Sequence, residues 1–155
     1  MKTLCLYFTR TNTTKTLMEN IAKVLDADIA EYNDGKDRHG LFGYLRACCA
    51  TVKFAMPRVT IKGDVDLKAY DRVIIGMPVW VEGPCAVGRA FIKKYSGEFP
   101  SEVYYVVTHE GLIDYNEKIK AMDKLLGRAS QGQVSIRTKN NDYVKAGVDY
   151  ASTLI

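Results

Sequence analysis

Apolar runs and amphipathic stretches alternate along the whole chain. After the polar pair Lys2-Thr3, Leu4 to Phe8 reads as a buried strand. Residues 13–26 place Leu17, Ile21, Val24 and Leu25 on one helical face. A short strand over 28–32 follows, closed by the turn signal Asn33-Asp34-Gly35. Residues 40–56 have helical spacing and a wide apolar arc that includes Leu41, Phe42, Tyr44, Leu45, Val52 and Phe54. That arc is expected to cover a sheet, and Pro57 should end the helix. Arg72 to Met77 is almost continuously apolar, as a central parallel strand should be. Pro84 should open a helix reaching about Tyr95. A strand over 102–108, a helix over 116–126, a strand over 133–137 and a helix over 142–154 complete the pattern.

This alternation predicts one α/β domain over residues 1–155, with a parallel sheet wound on both faces. In such sheets ligands bind at the carboxyl ends of strands, where the winding changes direction. Three strand ends carry unusual loops, at Thr9–Thr14, Met77–Gly83 and Thr108–Leu112. They should meet on one edge.

The first loop, Thr9-Arg10-Thr11-Asn12-Thr13-Thr14, stands between a strand and a helix. A helix start offers unpaired backbone N–H groups and a positive dipole end. Thr and Asn are ordinary cap and turn residues, so one of them would mean little. Five in six positions exceed what capping needs and point to a phosphate. Neither G-x-x-x-x-G-K-[ST] nor G-x-G-x-x-G is present, so the loop is neither a Walker A nor a dinucleotide loop. Only Arg10 and Lys15 lie near as cations.

The second loop, Gly76-Met77-Pro78-Val79-Trp80-Val81-Glu82-Gly83-Pro84, holds the single tryptophan of the chain. Trp80 is expected either to stack, exposed, on a flat ring or to pack under the loop. In the third, Thr108-His109-Glu110-Gly111, His109 and Glu110 can hydrogen-bond a polar ring edge or act as plain loop residues. The two histidines show no metal-ligand spacing.

Together these three segments resemble the FMN-binding loops of the flavodoxin family, in order and spacing, over essentially the full chain. The resemblance implies a flavodoxin-like three-layer sandwich with a five-stranded parallel sheet of order 2-1-3-4-5. It implies FMN phosphate on Thr9, Arg10, Thr11, Asn12, Thr13 and Thr14. It implies the isoalloxazine between Pro78, Val79, Trp80, Val81 and Gly83 on one side and Thr108, His109, Glu110 and Gly111 on the other. The chain departs from the family pattern in three places. Asn12 replaces a frequent glycine, and Asn tolerates the left-handed conformation. Met77 replaces a common Ser or Thr. The third loop has His109 and Glu110 where more glycine and a stacking aromatic are usual, leaving Tyr115 to fill that role.

Composition narrows the function. The 155 residues are 47% hydrophobic, as in a globular domain with a normal core. No apolar run approaches a membrane span and no signal-peptide pattern is seen, so a cytoplasmic protein is expected. The four cysteines form no C-x-x-C pair, and reduced thiols are expected. Cys85, near a predicted helix start, reads as a small core residue. The net charge of +4 comes from one segment, since residues 36–62 hold six basic residues and one acidic residue. Nucleic-acid binding would need a wider basic field. The segment is read as a solvated face, or as a docking surface for an acidic redox partner. Arg38, Arg46 or Arg58 there would alternatively hold a nicotinamide cofactor's phosphate.

The leading expectation is thus an FMN electron carrier, with an FMN-dependent NAD(P)H:acceptor reductase of the quinone type as alternative. Reduced flavin is an anion, and many flavodoxins are strongly acidic. This chain lacks that field, although Glu82 and Glu110 can restore it locally, so a less negative potential is expected. A third possibility is a flavin-free interaction module of the same fold, dimerising or docking through Phe42, Tyr44, Leu45 and Phe54. A C-x5-R phosphatase is disfavoured because Cys5 and Arg10 stand one residue too close and Cys5 lies mid-strand. A response-regulator receiver would need an Asp ending the first strand.

Overall fold

A computed structural model describes residues 1–81 and 83–155. Five parallel strands form its centre: β1 (Thr3–Tyr7), β2 (Asp28–Asn33), β4 (Arg72–Trp80), β6 (Glu102–His109) and β7 (Gly132–Arg137). They lie in the order β2-β1-β4-β6-β7, which is the expected 2-1-3-4-5 counted along the parallel strands. Two short antiparallel strands extend the expectation. Strand β3 (Thr60–Ile61) pairs with the outer edge of β2, and β5 (Gly83–Pro84) folds back on β4.

Alternation along the strands divides the core into two layers. Cys5, Tyr7, Ile74, Val106 and Ile136 face helices α1 (Thr13–Leu25) and α6 (Tyr143–Ser152). The intervening residues Leu4, Leu6, Val73, Ile75, Met77, Val103, Tyr105 and Val107 face the other side. There they meet α3 (Ala86–Tyr95) and the short helices α4 (Asn116–Lys120) and α5 (Asp123–Leu126). A helix α2 (Gly40–Val52) lies on this side too. The result is the expected three-layer sandwich. No helix among the described residues is long and apolar enough to cross a membrane.

Four elements differ from the sequence reading. The third parallel strand does not stop at Met77 but runs to Trp80, because Val79 and Trp80 pair with Pro84 and Gly83 in a hairpin. Pro84 therefore sits in β5, and α3 begins at Ala86. Helix α2 ends at Val52 rather than before Pro57, with Phe54 turned into left-handed backbone at φ 50°. The stretch 116–126 breaks into α4 and α5.

The apolar arc of α2 is the larger correction. The helix buries its small residues Gly43, Ala47 and Thr51, at i, i+4 and i+8. A Cβ at Gly43 would stand 2.2 Å from the Arg38 carbonyl carbon, so backbone meets backbone there. That close approach turns the large side chains outward: Leu41, Phe42 and Leu45 are exposed, Phe42 at 86%.

Candidate functional site

The three loops meet at the carboxyl ends of β1, β4 and β6, around the point where strand order reverses. They enclose a cleft of about 410 Å3. Thr9, Arg10, Thr11, Thr13 and Thr14 line it from the first loop, Pro78, Val79, Trp80 and Val81 from the second, and Thr108, His109, Glu110 and Gly111 from the third. Of the expected residues, Asn12 and Gly83 do not line it.

Asn12 acts through the backbone. It is the N-cap of α1 in left-handed conformation, φ 65° and ψ −4°, and makes no side-chain capping bond. A cap side chain would ordinarily accept from the N–H of the second or third helical residue. The Thr9 hydroxyl oxygen is buried and has no hydrogen-bond partner among the described residues. Thr11 and Thr13 hydroxyls stand 3.4 Å apart at the surface. Thr14 differs, because its buried hydroxyl lies 2.8 Å from that of Thr108 and ties the first loop to the third. Arg10 lies over the Tyr44 ring, 5.4 Å from its centroid.

Trp80 is not the exposed stacking residue that its loop position allowed. The indole is 4% exposed, edge-on to Phe8 with centroids 5.5 Å apart. The Arg38 guanidinium lies 5.4 Å from its ring centroid. The β4–β5 hairpin turns Trp80 back into the core, so only a sliver of it reaches the cleft wall. Val81 follows at φ 63°, a left-handed conformation that costs a β-branched residue about 1–3 kcal/mol. Glu82, expected to add negative charge here, lies outside the described residues.

In the third loop His109 is buried, with its ring centroid 4.8 Å from that of buried Tyr115. Burial lowers the imidazole's pKa, against a hydrogen bond to Gly111 that works to raise it. A neutral ring whose Nδ1 lies 3.2 Å from the Gly111 carbonyl must donate from Nδ1, which leaves Nε2 as an acceptor. The loop is tied to the end of β7, since the Thr138 N–H and hydroxyl both donate to the His109 carbonyl at 2.8 and 3.1 Å. Glu110 is exposed and stands 3.4 Å from Lys139 in a surface ion pair, which offsets part of its charge.

Two lining residues escaped the sequence reading. Thr138 follows the fifth parallel strand, and the rule that sites gather at strand ends points to it. Tyr44 reaches the cleft from α2, and no local signal marks it.

The basic segment is less uniform than its charge suggests. Arg38 is buried and forms a fork-to-fork pair with Asp34, one arm of it at 2.6 Å. Burial works to raise the Asp34 carboxyl's pKa, but the Arg38 hydrogen bonds and charge win and hold it low. Arg38 is therefore committed within the fold and does not wait for a nucleotide phosphate. Lys62 pairs with Glu31 at 2.8 Å. Arg46, Lys53 and Arg58 remain exposed. All four cysteines are free, and burial pushes the thiols of Cys5 and Cys85 up to about 12, so neither is a ready nucleophile.

A second cavity, of about 760 Å3, adjoins the first across Val81, which lines both. Gly83 faces this one. Its walls are mainly apolar, from the end of α2, the β4–β5 hairpin and α4–α5.

No family model matches the sequence, and no curated protein matches it. Solved structures do. A flavoprotein from Lactobacillus acidophilus, solved in complex with FMN, is 20% identical with a TM-score of 0.73, over 97% of this chain and 98% of that one. A flavoprotein from Bacteroides eggerthii is 18% identical, with a TM-score of 0.75 and the same coverage of both chains. A flavodoxin from the domain Archaea is 11% identical, with a TM-score of 0.60 over 99% of each chain. At these identities the likeness is one of fold, and the fold of this chain is flavodoxin-like.

Proposed function

We propose that the cleft binds FMN non-covalently and that the chain is a flavodoxin-like redox protein. One observation carries this reading. A buried hydroxyl with no partner among the described residues (Thr9) and a helix start without a side-chain cap (Asn12) stand in the same loop, at the strand ends where the fold gathers its ligands. Orphaned polar groups of this kind are rare in a closed interior. A phosphate monoester would satisfy the Thr9 hydroxyl and the first N–H groups of α1 together. The donor set fits FMN: hydroxyls and backbone N–H groups at one end, a cleft between two loops at the other. Solved neighbours of the same fold, one of them holding FMN, add support.

Thr9, Arg10, Thr11, Asn12, Thr13 and Thr14 would hold the phosphate. Pro78, Val79, Trp80 and Val81 would bound the ring on one side, and Thr108, His109, Glu110 and Gly111 on the other. Bound there, FMN would supply one- and two-electron redox chemistry. The protein's own part is positioning: His109 offers Nε2 as an acceptor, Tyr115 backs it, and Thr108 steadies Thr14. Exposed Arg46, Lys53 and Arg58 suit an acidic redox partner. A second reading, an FMN-dependent NAD(P)H:acceptor reductase, is favoured by the cavity beyond Val81, because a carrier needs no organic-substrate pocket.

The test is an absorbance spectrum of purified protein before and after adding FMN. Flavin bands that persist through desalting, with quenched flavin fluorescence, are expected. A protein that retains none and binds none on titration refutes the reading. Steady-state oxidation of NADPH or NADH by the loaded protein then separates reductase from carrier.

A further inference from the structure

Among the described residues, the second cavity has mainly apolar walls and one buried charge. Phe54, Met56, Val52, Met122 and Leu125 supply much of the wall, and Phe54 and Val52 are exposed despite being apolar. Among these stands Arg89 of α3, only 9% exposed. Arg89 Nη1 donates to the Pro84 carbonyl and Nη2 to the Thr51 carbonyl, each at 3.1 Å. Its plane lies over Phe54, 5.2 Å from the ring centroid. No carboxylate pairs with it among the described residues, and its buried Nε has no acceptor.

A buried guanidinium with no acid among the described residues is uncommon, because two neutral carbonyls only partly offset its desolvation. Burial indeed lowers the Arg89 pKa, and the Cys85 thiol acts the other way. Two neutral carbonyls use two of its five N–H donors and Nε–H is buried, which leaves the second N–H of Nη1 and of Nη2 for a planar anion. Lys118 and Lys124, both exposed, line the cavity as well and add positive charge. The walls therefore call for an apolar body and Arg89 for an acidic head.

We infer that this cavity is a binding site for a small organic carboxylate with an apolar, ring-sized body, its carboxylate taken by Arg89. The site goes beyond the flavin reading and does not depend on it, although Val81 places its occupant beside the cleft. An occupant there would be a substrate or effector of the redox site, of a class that the sequence alone does not suggest.

Met56 and Met122 line the cavity, and no methionine lines the cleft, so methionine methyls report on one site only. Cinnamate and cinnamyl alcohol are titrated, by NMR, into full-length protein labelled at its methionine methyls. Both have the same ring, and only one has the charge. Cinnamate is expected to shift the Met56 and Met122 methyls and to bind at least about tenfold tighter than the alcohol, as a charge-assisted hydrogen bond allows. Arg89→Met should erase that preference. Arg89 also ties α2 to the hairpin, so a second variant guards against misfolding. Val52→Glu, on an exposed position of the same wall, gives Arg89 an acid and should abolish the preference while the alcohol still binds. The inference falls if acid and alcohol bind alike or if neither moves those methyls. It also falls if the preference survives Val52→Glu, or if the chain self-associates through this groove and excludes cinnamate. Repeating the titration with and without FMN keeps the two readings apart: acid binding without flavin binding overturns only the flavin assignment.

Discussion

Replacing Thr9 by valine should move stability and FMN affinity in opposite directions. Valine has nearly the shape of threonine and lacks only the hydroxyl. In the flavin-free chain that hydroxyl is buried with no partner among the described residues, a state that costs roughly 1–3 kcal/mol. Thr9→Val removes that cost, so the flavin-free protein should gain about 1 kcal/mol, or at the least lose nothing. The phosphate then loses one charge-assisted hydrogen bond, of about 1.5–3 kcal/mol, and FMN affinity should fall roughly 10- to 150-fold. Thr14→Val supplies the contrast on the same loop. Its hydroxyl is already paired with Thr108 at 2.8 Å, so valine there strands the Thr108 hydroxyl and should destabilise the flavin-free chain by roughly 1–3 kcal/mol. Denaturant unfolding of the flavin-free variants reads the first quantity, and quenching of flavin fluorescence on titration reads the second. A Thr9→Val protein that is less stable, with FMN affinity unchanged, would refute both the orphaned hydroxyl and its role.

Three further outcomes follow from named contacts. Asp34→Ala leaves the buried Arg38 guanidinium without its acid and should cost about 3–5 kcal/mol in denaturant unfolding, whereas Asp34→Ala with Arg38→Met should recover much of that loss; a single variant within 1 kcal/mol of the parent would overturn the buried pair. His109 titrates lower in the folded than in the unfolded chain, where its pKa is about 6.5, so the unfolded chain takes up the proton first as pH falls. Stability should therefore drop as pH goes from about 6.5 down through the folded value, and His109→Gln should remove that slope from pH-dependent melting curves. The reduction potential of bound FMN should be less negative than in acidic flavodoxins, because Arg10 lines the cleft and Lys139 stands beside Glu110. A redox titration giving a value at or below theirs would contradict this.

The fold was legible because each parallel strand carries its own signal. Leu4 to Phe8 and Arg72 to Met77 are apolar on both faces, and the α1 face announces itself through Leu17 and Ile21. The first loop was legible for a similar reason, since its hydroxyls are adjacent in sequence. What stayed hidden depends on how local segments fold back and pack, which their residue types alone do not report. Nothing near Trp80 says that Gly83 and Pro84 will pair with β4 and turn the indole inward onto Phe8 and Arg38. Arg38 has its acid only four residues away, at Asp34, but that spacing alone does not tell that the pair will be buried while Arg46 stays exposed. For α2 the periodicity was real but its sense was reversed. Leu, Phe and Tyr at helical spacing normally face the core, and here backbone contact at Gly43 claims that side.

That reversal bears on how the site divides its labour. The cleft's strand-borne walls are fastened to one another without any ligand. Thr14 joins Thr108, Thr138 holds the His109 carbonyl, and the Cys85 N–H donates to the Pro78 carbonyl at 3.1 Å. Such cross-ties hold donors in place before binding, and a preformed site spends little of its affinity on ordering. The α2 side is different. It rests on a stripe of small residues, carries Tyr44 to the cleft, and presents Val52 to the second cavity. Sheet-borne loops thus fix the cofactor end under the FMN reading, while α2 and the residues just after it shape what approaches. Changes at the exposed α2 positions away from the cleft, such as Leu41, Phe42 and Leu45, should alter acceptor or ligand choice far more than flavin affinity, whereas a change at Tyr44, which lines the cleft under Arg10, should reach both.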